Sequence, residues 1–226
     1  MDMMVLNNFP FWEQLTSDEK RIMESHAKTI HFDKGQLIST TDMDCLGILY
    51  ILKGIIRIYL YTEEGREATI ARLADDEICL LSASCLLSPV IFQAQLAAEE
   101  DLDAVLIPSK ILSDVMKQNI YVENFVYRST IERFSDVISA IQQMLFSPLD
   151  QRISAFLLDE SARLGTDTLN LTQEKLAQNI GSAREAVTRA LKQLASCECI
   201  EVFRGGIKIK NRKRLYEIIS KKQKIE

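Results

Sequence analysis

The side chains best suited to chemistry lie within residues 171–200, where two helical patterns are separated by a glycine. Arg184, Glu185, Thr188 and Arg189 share one side of the second pattern, near its N-terminal end. Arginine can pair with O6 and N7 of guanine, and glutamate can accept a hydrogen bond from N4 of cytosine. Together on one helix face, these side chains indicate a surface that reads base edges in duplex DNA.

Two short helices around Gly181 must position this surface. Thr172 stands where an N-cap is expected, Gly181 supplies the left-handed conformation of a tight turn, and Ser182 is predicted to cap the second helix. The predicted buried positions are Leu176, Ala177 and Ile180 in the first helix and Val187, Ala190, Leu191 and Leu194 in the second. This spacing is typical of a helix-turn-helix, whose second helix lies in the major groove. Pairs of short helices around a glycine also occur in ordinary core packing. The residues that follow are therefore needed to decide whether this segment binds DNA or only packs in a core.

The residues after the second helix predict a β-hairpin and a basic cluster. Two strand-like runs within residues 199–210 surround Gly205-Gly206, a pair that favours a turn. The basic side chains are suited to phosphate contacts: Lys208, Lys210, Arg212, Lys213 and Arg214. A hairpin behind the recognition helix makes the predicted domain a winged helix.

Composition and charge fit this interpretation. The 226 residues are 47% hydrophobic and 26% charged, which is typical of a globular chain long enough for two modest domains. Residues 1–147 carry 12 Lys and Arg against 22 Asp and Glu, whereas residues 148–226 carry 15 against 10. The basic C-terminal part suggests a polyanionic partner, although a solvated tail has the same composition.

No membrane or secretory segment is expected. The apolar runs are shorter than the roughly 18 residues that a transmembrane helix needs, and the first residues lack the basic region and cleavage site of a signal peptide. Five cysteines without a regular framework fit a reducing compartment. These features predict a cytoplasmic protein.

The N-terminal half predicts a β domain followed by a long helix. A short helix is expected to start near Ser17, and many short strands separated by turns follow from His31 to Pro108, as in a small antiparallel barrel. From Ser113 to Phe146 the pattern is helical, and Ser147-Pro148 ends it. Its apolar residues step by 4, 3 and 4 along one stripe: Phe134, Ile138, Ile141 and Leu145. That is coiled-coil spacing, which favours homodimerisation over a helix lying on its own domain.

The motifs GSAREAVTRALKQL and CIEVFRGGIKIKN resemble the recognition helix and wing of the Crp/Fnr transcription regulators. FDKGQLI, ILYILKGIIRIYL and EEGREATIARL are similar to the opening of that family's cyclic-nucleotide-binding-like β-roll, so the resemblance covers nearly the whole chain. It implies an α+β fold with an N-terminal antiparallel β-roll over residues 1–112. A dimerisation helix over 113–147 and a C-terminal winged helix-turn-helix over 148–226 would follow.

The resemblance also implies roles for individual residues. Arg184, Glu185 and Arg189 would read bases, while Gln173, Ser182 and Thr188 would contact the DNA backbone. Lys208 is expected to contact phosphates as part of the basic cluster. The implied partners are double-stranded DNA with a palindromic operator, a second copy of the chain, RNA polymerase and a small-molecule effector. No cofactor is implied. The rival interpretation is a signalling or scaffold module that kept only the fold.

The sequence departs from the family at the effector site. Members that bind cyclic nucleotides use a Gly-Glu pair and an Arg-Ser or Arg-Thr pair, where this chain has Leu80-Leu81 and Phe92-Gln93. A buried phosphate without its guanidinium would be strongly penalised, so cAMP and cGMP are not expected. The implied pocket is apolar and suggests an uncharged or hydrophobic ligand: Ile78, Leu80, Leu81, Phe92 and Leu96.

Other candidate groups have simpler explanations. Cys79 and Cys85 could form a redox pair or half of a metal site, but packing is the favoured role. His26 and His31 are the only histidines, and a surface role is favoured over haem ligation. Because the sequence has no Gly-rich phosphate loop, G-x-S-x-G or H-E-x-x-H motif, enzymatic activity is not expected.

Overall fold

The structure of the chain is a computed structural model. It describes residues 3–39, 46–62, 67–80 and 94–220. The described residues form two compact units. The first lies within Met1–Tyr61 and Ile70–Ile138, and the second within Thr62–Thr69 and Ser139–Glu226.

The first unit opens with helical segments. Two 3₁₀ turns, Met3–Asn8 and Trp12–Gln14, precede helix α1 at Ser17–His26, which confirms the predicted helix start. A capping box fixes that start, because the Thr16 hydroxyl accepts a hydrogen bond from the Glu19 amide while the Thr16 amide donates to the Glu19 carboxylate.

In the part of the chain that the structure describes, eight strands form the predicted antiparallel β-roll. They are β1 Lys28–Phe32, β2 Leu37–Ser39, β3 Gly47–Lys53, β4 Ile56–Tyr61, β5 Glu67–Leu73, β6 Ile78–Cys79, β7 Ala94–Ala98 and β8 Leu102–Pro108. One sheet has the order β1-β8-β3-β6 and the other β2-β7-β4-β5. The sequence also favours a hairpin turn at Glu64-Gly65, and this pair lies outside the described residues.

Alternating residues of β3 face two separate cores. Leu49 and Ile51 pack with side chains from both sheets, so this core fills the space between the sheets. Ile48 and Tyr50 point the other way and pack against Trp12 and the N-terminal helical segments. The sheet that contains β3 is therefore buried on both faces.

The helical stretch predicted from Ser113 is two helices, α2 at Ser109–Met116 and α3 at Ile120–Phe146. Asn119 separates them, because its side-chain oxygen accepts a hydrogen bond of 3.0 Å from the Tyr121 amide. Its amide group donates to the Gln14 carbonyl and to Glu19. A buried asparagine with three partners thus sets the start of α3, a boundary that apolar periodicity does not show.

The second unit contains the predicted winged helix. Its elements are α4 Leu149–Leu164, β9 Thr168–Leu169, α5 Gln173–Ile180, α6 Arg184–Ser196, β10 Ile200–Phe203, β11 Gly206–Ile209 and α7 Arg212–Ser220. Gly165, with φ +65°, ends α4 in the left-handed conformation that glycine favours. The three strands form one sheet in the order β10-β11-β9. In the part of the chain that the structure describes, no helix is both long and apolar enough to cross a bilayer.

Candidate nucleic-acid interface

The first half of the predicted helix-turn-helix, up to the turn at Gly181, is confirmed by the structure. The Thr172 hydroxyl accepts a hydrogen bond of 3.1 Å from the Lys175 amide and caps α5. Gly181 adopts φ +61° and ψ +49°, and its amide donates to the Ala177 carbonyl at the end of α5. Glycine adopts this left-handed conformation without the steric cost that a Cβ atom imposes on other residues. This position therefore determines where α5 stops.

The predicted cap at Ser182 is wrong. Helix α6 begins at Arg184, its N-cap is Ala183, and no side chain caps it. The Ser182 amide instead donates a 3.0 Å hydrogen bond to the Ala177 carbonyl, which makes Ser182 part of the turn that closes α5. The chain therefore enters the second helix one residue later than the serine suggests.

The exposed face of α6 carries the charged residues predicted to read bases. Arg184, Glu185 and Arg189 are exposed, and Thr188 is half-buried between them. All predicted inward positions of both helices are buried: Leu176, Ala177, Ile180, Val187, Ala190, Leu191 and Leu194. Because the apolar face is occupied by core packing, the charged face is free to meet another molecule.

Side chains of α5 and α6 meet at the N-terminal ends of the two helices. The Thr188 hydroxyl lies 2.6 Å from the side-chain oxygen of Gln173, the first residue of α5. Arg184 Nη1 lies 3.9 Å from Glu174 Oε2, and both side chains are more than 60% exposed. Gln173, Arg184 and Thr188, predicted from separate positions, therefore lie on one surface.

Arg152, which the sequence did not single out, supports the turn between α5 and α6. Arg152 of α4 donates a 2.9 Å hydrogen bond through Nη1 to the Ile180 carbonyl at the end of α5. Burial lowers the pKa of this guanidinium, which remains a cation near the negative end of the helix dipole. Nothing in its local sequence distinguishes Arg152 from an ordinary solvated helix arginine.

The wing is a tight hairpin with one internally neutralised lysine. Ile200–Phe203 pairs with Gly206–Ile209, and the turn between them includes Gly205 at φ +84°. Lys210 lies 2.7 Å from Glu201, and this contact lowers the pKa of the Glu201 carboxyl. Lys208 is exposed on the same hairpin.

The predicted basic cluster divides into cations that bond within the fold and cations that remain available for phosphates. Arg212 Nε donates a 2.9 Å hydrogen bond to Asp167, and Arg214 donates to the Cys197 carbonyl, so both hold the fold together. Arg212 is the main cause of the lowered pKa of Asp167. Within the described ranges, neither Lys208 nor Lys213 forms an ion pair with a carboxylate, although Lys208 lies close enough to Asp167 and Glu201 to help lower the pKa of each. The phosphate-binding role therefore suits these two lysines rather than all five cations.

Helix α7, which carries these arginines, was missed from the sequence. Its signal was the helical spacing of Leu215, Ile218 and Ile219, which pack against the core of the second unit. The density of basic residues around them hid that pattern.

The three predicted effector residues that the structure describes do not gather at one place. Leu80 and Ile78 pack with the N-terminal helical segments on the outer face of a sheet. Leu96 belongs to the core between the sheets. Leu81 and Phe92 lie outside the described residues.

The remaining candidates that the structure describes behave as packing or surface residues. Cys79 is buried between the sheets, and Cys85 lies outside the described residues. His31 Nδ1 lies 2.8 Å from Asp103, and that hydrogen bond raises the pKa of the exposed imidazole. Among the described residues, no group of three or more His, Cys, Asp or Glu is arranged to hold a metal ion.

A β-roll, a long helix and a winged helix-turn-helix with a charged recognition face define a class of DNA-binding transcription regulators. The sequence model of the Crp-like helix-turn-helix domain matches residues 151–218. The solved structure of a Crp/Fnr-family transcriptional regulator from Eubacterium rectale is 37% identical, with a TM-score of 0.92. The match covers 95% of this chain and 100% of that one.

Two further proteins are similar to this chain at lower identity, one in sequence and one in fold. The global nitrogen regulator of Nostoc sp. strain PCC 7120 is 23% identical over 173 residues, which are 72% of this chain and 76% of that protein. The c-di-GMP-responsive global regulator CLP of Xanthomonas campestris has a TM-score of 0.71 at 14% identity. That match covers 86% of this chain and 99% of the other.

The chain belongs to the Crp/Fnr family and is a helix-turn-helix transcription regulator of the Crp/Fnr type. Its overall fold is the α+β arrangement that the resemblance implied.

Proposed function

We propose that this regulator binds specific operator sequences by placing α6 in the major groove, where Arg184, Glu185 and Arg189 contact base edges. The observation that carries the proposal is the division of α6 into a buried apolar face and an exposed charged one. Bidentate arginine–guanine pairs are the commonest specific contacts, and the first residues of a recognition helix make them.

The DNA backbone is held by groups around this face. Gln173 and Thr188 lie against each other at the start of α5, where backbone amides and the helix dipole favour a phosphate. Ser182 contributes from the turn, and Lys208 from the exposed side of the wing. These contacts position the protein without reading sequence.

The chain acts as a homodimer through α3. Six large apolar residues of this helix are spaced by 4, 3, 4, 3 and 4, and all are at least 39% exposed: Tyr127, Ile131, Phe134, Ile138, Ile141 and Leu145. A continuous exposed heptad stripe is the pattern that a two-stranded coiled coil buries. Two copies would present two recognition helices, which requires a palindromic operator.

The effector is a small molecule other than cAMP or cGMP. The Arg-Ser or Arg-Thr pair that would hold a cyclic phosphate is replaced by Phe92-Gln93, and apolar Leu80-Leu81 stands in place of the Gly-Glu pair. The fold itself does not fix the ligand, since the Xanthomonas relative that shares it is described as responsive to c-di-GMP. A regulator bound at a promoter would act on RNA polymerase. It would do so in the cytoplasm, where bacterial DNA lies.

The test is selection from a library of random duplexes by the purified full chain. The proposal expects enrichment of an inverted repeat whose half-sites lie about one helical turn apart. Recovery of one asymmetric site would contradict the two-fold arrangement. Absence of any enriched sequence, together with no salt-dependent binding, would favour the scaffold interpretation.

A further inference from the structure

The exposed stripe of α3 continues toward the N-terminal end of the helix and includes one polar residue there. Ile120 and Tyr127 are 57% and 49% exposed, and Asn124 lies exposed between them at the same heptad spacing. Val122 and Val126 of the same turns are buried in a core of the first unit. One face of this end of α3 therefore packs within its own unit, and the other, which carries Asn124, points outward.

Heptad numbering places Asn124 at a core position of the coiled coil that two copies would form. The eight core positions of the stripe are, at a, Asn124, Ile131, Ile138 and Leu145 and, at d, Ile120, Tyr127, Phe134 and Ile141. Asn124 is the one polar residue among them. A single asparagine at an a position lowers the stability of a coiled coil, but it specifies the register and the number of strands.

One alignment of two copies satisfies the Asn124 side chain. In a parallel, in-register pair the two Asn124 side chains lie opposite each other, and the amide group of one can donate to the side-chain oxygen of the other. A parallel pair slipped by one heptad would place Asn124 against Ile131, and an antiparallel pair along the whole stripe would also place it against an apolar residue. Both alternatives leave a polar group without a hydrogen bond in an apolar seam, which is unfavourable.

The charged residues beside Asn124 favour the same alignment. Glu123 immediately precedes the a position and Arg128 lies four residues after it, so they occupy a g and an e position. In a parallel pair the g side chain of one helix lies beside the e side chain of the other, which places Glu123 beside the partner's Arg128. Within the residues that the structure describes, neither side chain forms an ion pair inside its own chain.

We propose that Asn124, Glu123 and Arg128 fix two copies of α3 in a parallel, in-register alignment. The inference rests on the proposed function, because it requires a dimer whose seam is α3. The apolar stripe supplies the association, and these three residues select one alignment from those that the stripe allows. Each winged helix follows the C-terminal end of its own α3, so a parallel pair brings both recognition helices to the same end of the seam.

A charge exchange tests the ion pairs in the full chain, with the dimer dissociation constant measured by sedimentation of a dilution series. Glu123→Arg and Arg128→Glu should each raise that constant roughly tenfold, because two like-charged contacts replace two opposite ones. An equimolar mixture of the two variants should return to within about twofold of the unmodified protein, since each copy then meets a complementary partner. The loss in the single variants should shrink in about 1 M salt.

The mixture separates contacts between copies from effects within one chain. Glu123 lies in the first turn of α3, where a carboxylate also favours the helix itself, and that loss would persist in the mixture. Single variants that dimerise as tightly as the unmodified protein, or a mixture that does not recover, would overturn the inference.

Asn124→Ile tests the alignment directly. Association should become tighter, but dimers should coexist with larger species, and a smaller fraction of the protein should bind operator DNA. Ser139→Ile is the matched control, because it adds the same side chain at an exposed position of α3 outside the stripe. An Asn124→Ile variant that forms only dimers, all competent for the operator, would also overturn the inference.

The unmodified chain separates this inference from the proposed function. If it is monomeric at concentrations where it binds its operator, the dimer itself is refuted. If it is a dimer whose charge variants show no recovery on mixing, only the alignment by these three residues is lost.

Discussion

The Thr188 hydroxyl of α6 lies 2.6 Å from the side-chain oxygen of Gln173, the first residue of α5. This contact joins the two helices at the end where both would meet DNA. It couples the orientation of the recognition helix to the helix that holds the phosphate backbone.

Replacing Thr188 with Val should therefore weaken operator binding more than it weakens the fold. Loss of one hydrogen bond costs about 0.5–1.5 kcal/mol, which corresponds to roughly a two- to tenfold loss of affinity. Thr130→Val is the control, since the Thr130 hydroxyl donates to a helix carbonyl in α3. Anisotropy titrations that give the same affinity for Thr188→Val and the unchanged protein would refute the coupling.

The exposed stripe on α3 gives a prediction about assembly. Changing Ile138 and Ile141 together to Asp should produce monomers and abolish operator binding, because unpaired charges in a buried seam cost on the order of 3–5 kcal/mol. Ser139→Asp with Gln142→Asp places the same charges one residue along and should leave the dimer intact. Sedimentation velocity distinguishes the species. A stable dimer of the isoleucine double variant would rule out α3 as the seam.

The division of the basic cluster gives a prediction that combines stability and binding. Arg212→Gln removes the partner of Asp167 and Ser161 and should lower the melting temperature, whereas Lys208→Ala should lower only DNA affinity. The expected stability loss is about 1 kcal/mol or less, because the ion pair is half exposed. The two variants behaving alike in both measurements would contradict this division.

The same pair makes that stability loss depend on pH. Contact with Arg212 lowers the pKa of Asp167, so its stabilising effect is present at neutral pH and is lost as pH falls through the lowered pKa. The melting temperatures of the unchanged protein and Arg212→Gln should therefore converge in acid, below the ordinary Asp range. A difference that stays constant into strong acid would show that the ion pair is not its source.

The effector proposal predicts no response to cyclic nucleotides. Millimolar cAMP or cGMP should leave both the melting temperature and the affinity for operator DNA unchanged. A ligand at 100 times its Kd would stabilise the folded state by about 2.7 kcal/mol, which a thermal melt detects readily. Calorimetry that revealed a micromolar cAMP site would refute the proposal.

The helix-turn-helix could be predicted from sequence because its signals are local. Thr172, Gly181 and the spacing of the apolar positions specify a cap, a turn and two buried faces within about 25 residues of chain. The predicted cap at Ser182 was wrong because the Ser182 amide donates to the end of the preceding helix, and its side chain does not cap the next one. The local sequence does not show which of these two roles the serine takes.

Long-range contacts explain what the sequence did not show. The Asn119 side chain, which accepts from the Tyr121 amide at the start of α3, is held in place by Gln14 and Glu19, about 100 residues earlier in the chain. Arg212 is held by Asp167, 45 residues away. Composition alone treats Arg212 and Lys208 as equal cations. Only the fold shows that Arg212 pairs with Asp167, whereas Lys208, in the described part of the chain, forms no ion pair.

Arg184 and Arg189 are proposed to read base pairs from the exposed face of α6. The most direct test repeats the selection from random duplexes with Arg184→Ala and Arg189→Ala, and with Arg21→Ala as a control that removes an exposed arginine from α1. Each recognition-helix variant should lose preference at one base pair in each half-site, at a cost of about 1–3 kcal/mol on the original operator. Arg21→Ala should return the original operator unchanged. Recovery of that operator by both recognition-helix variants, with all positions intact, would contradict the account.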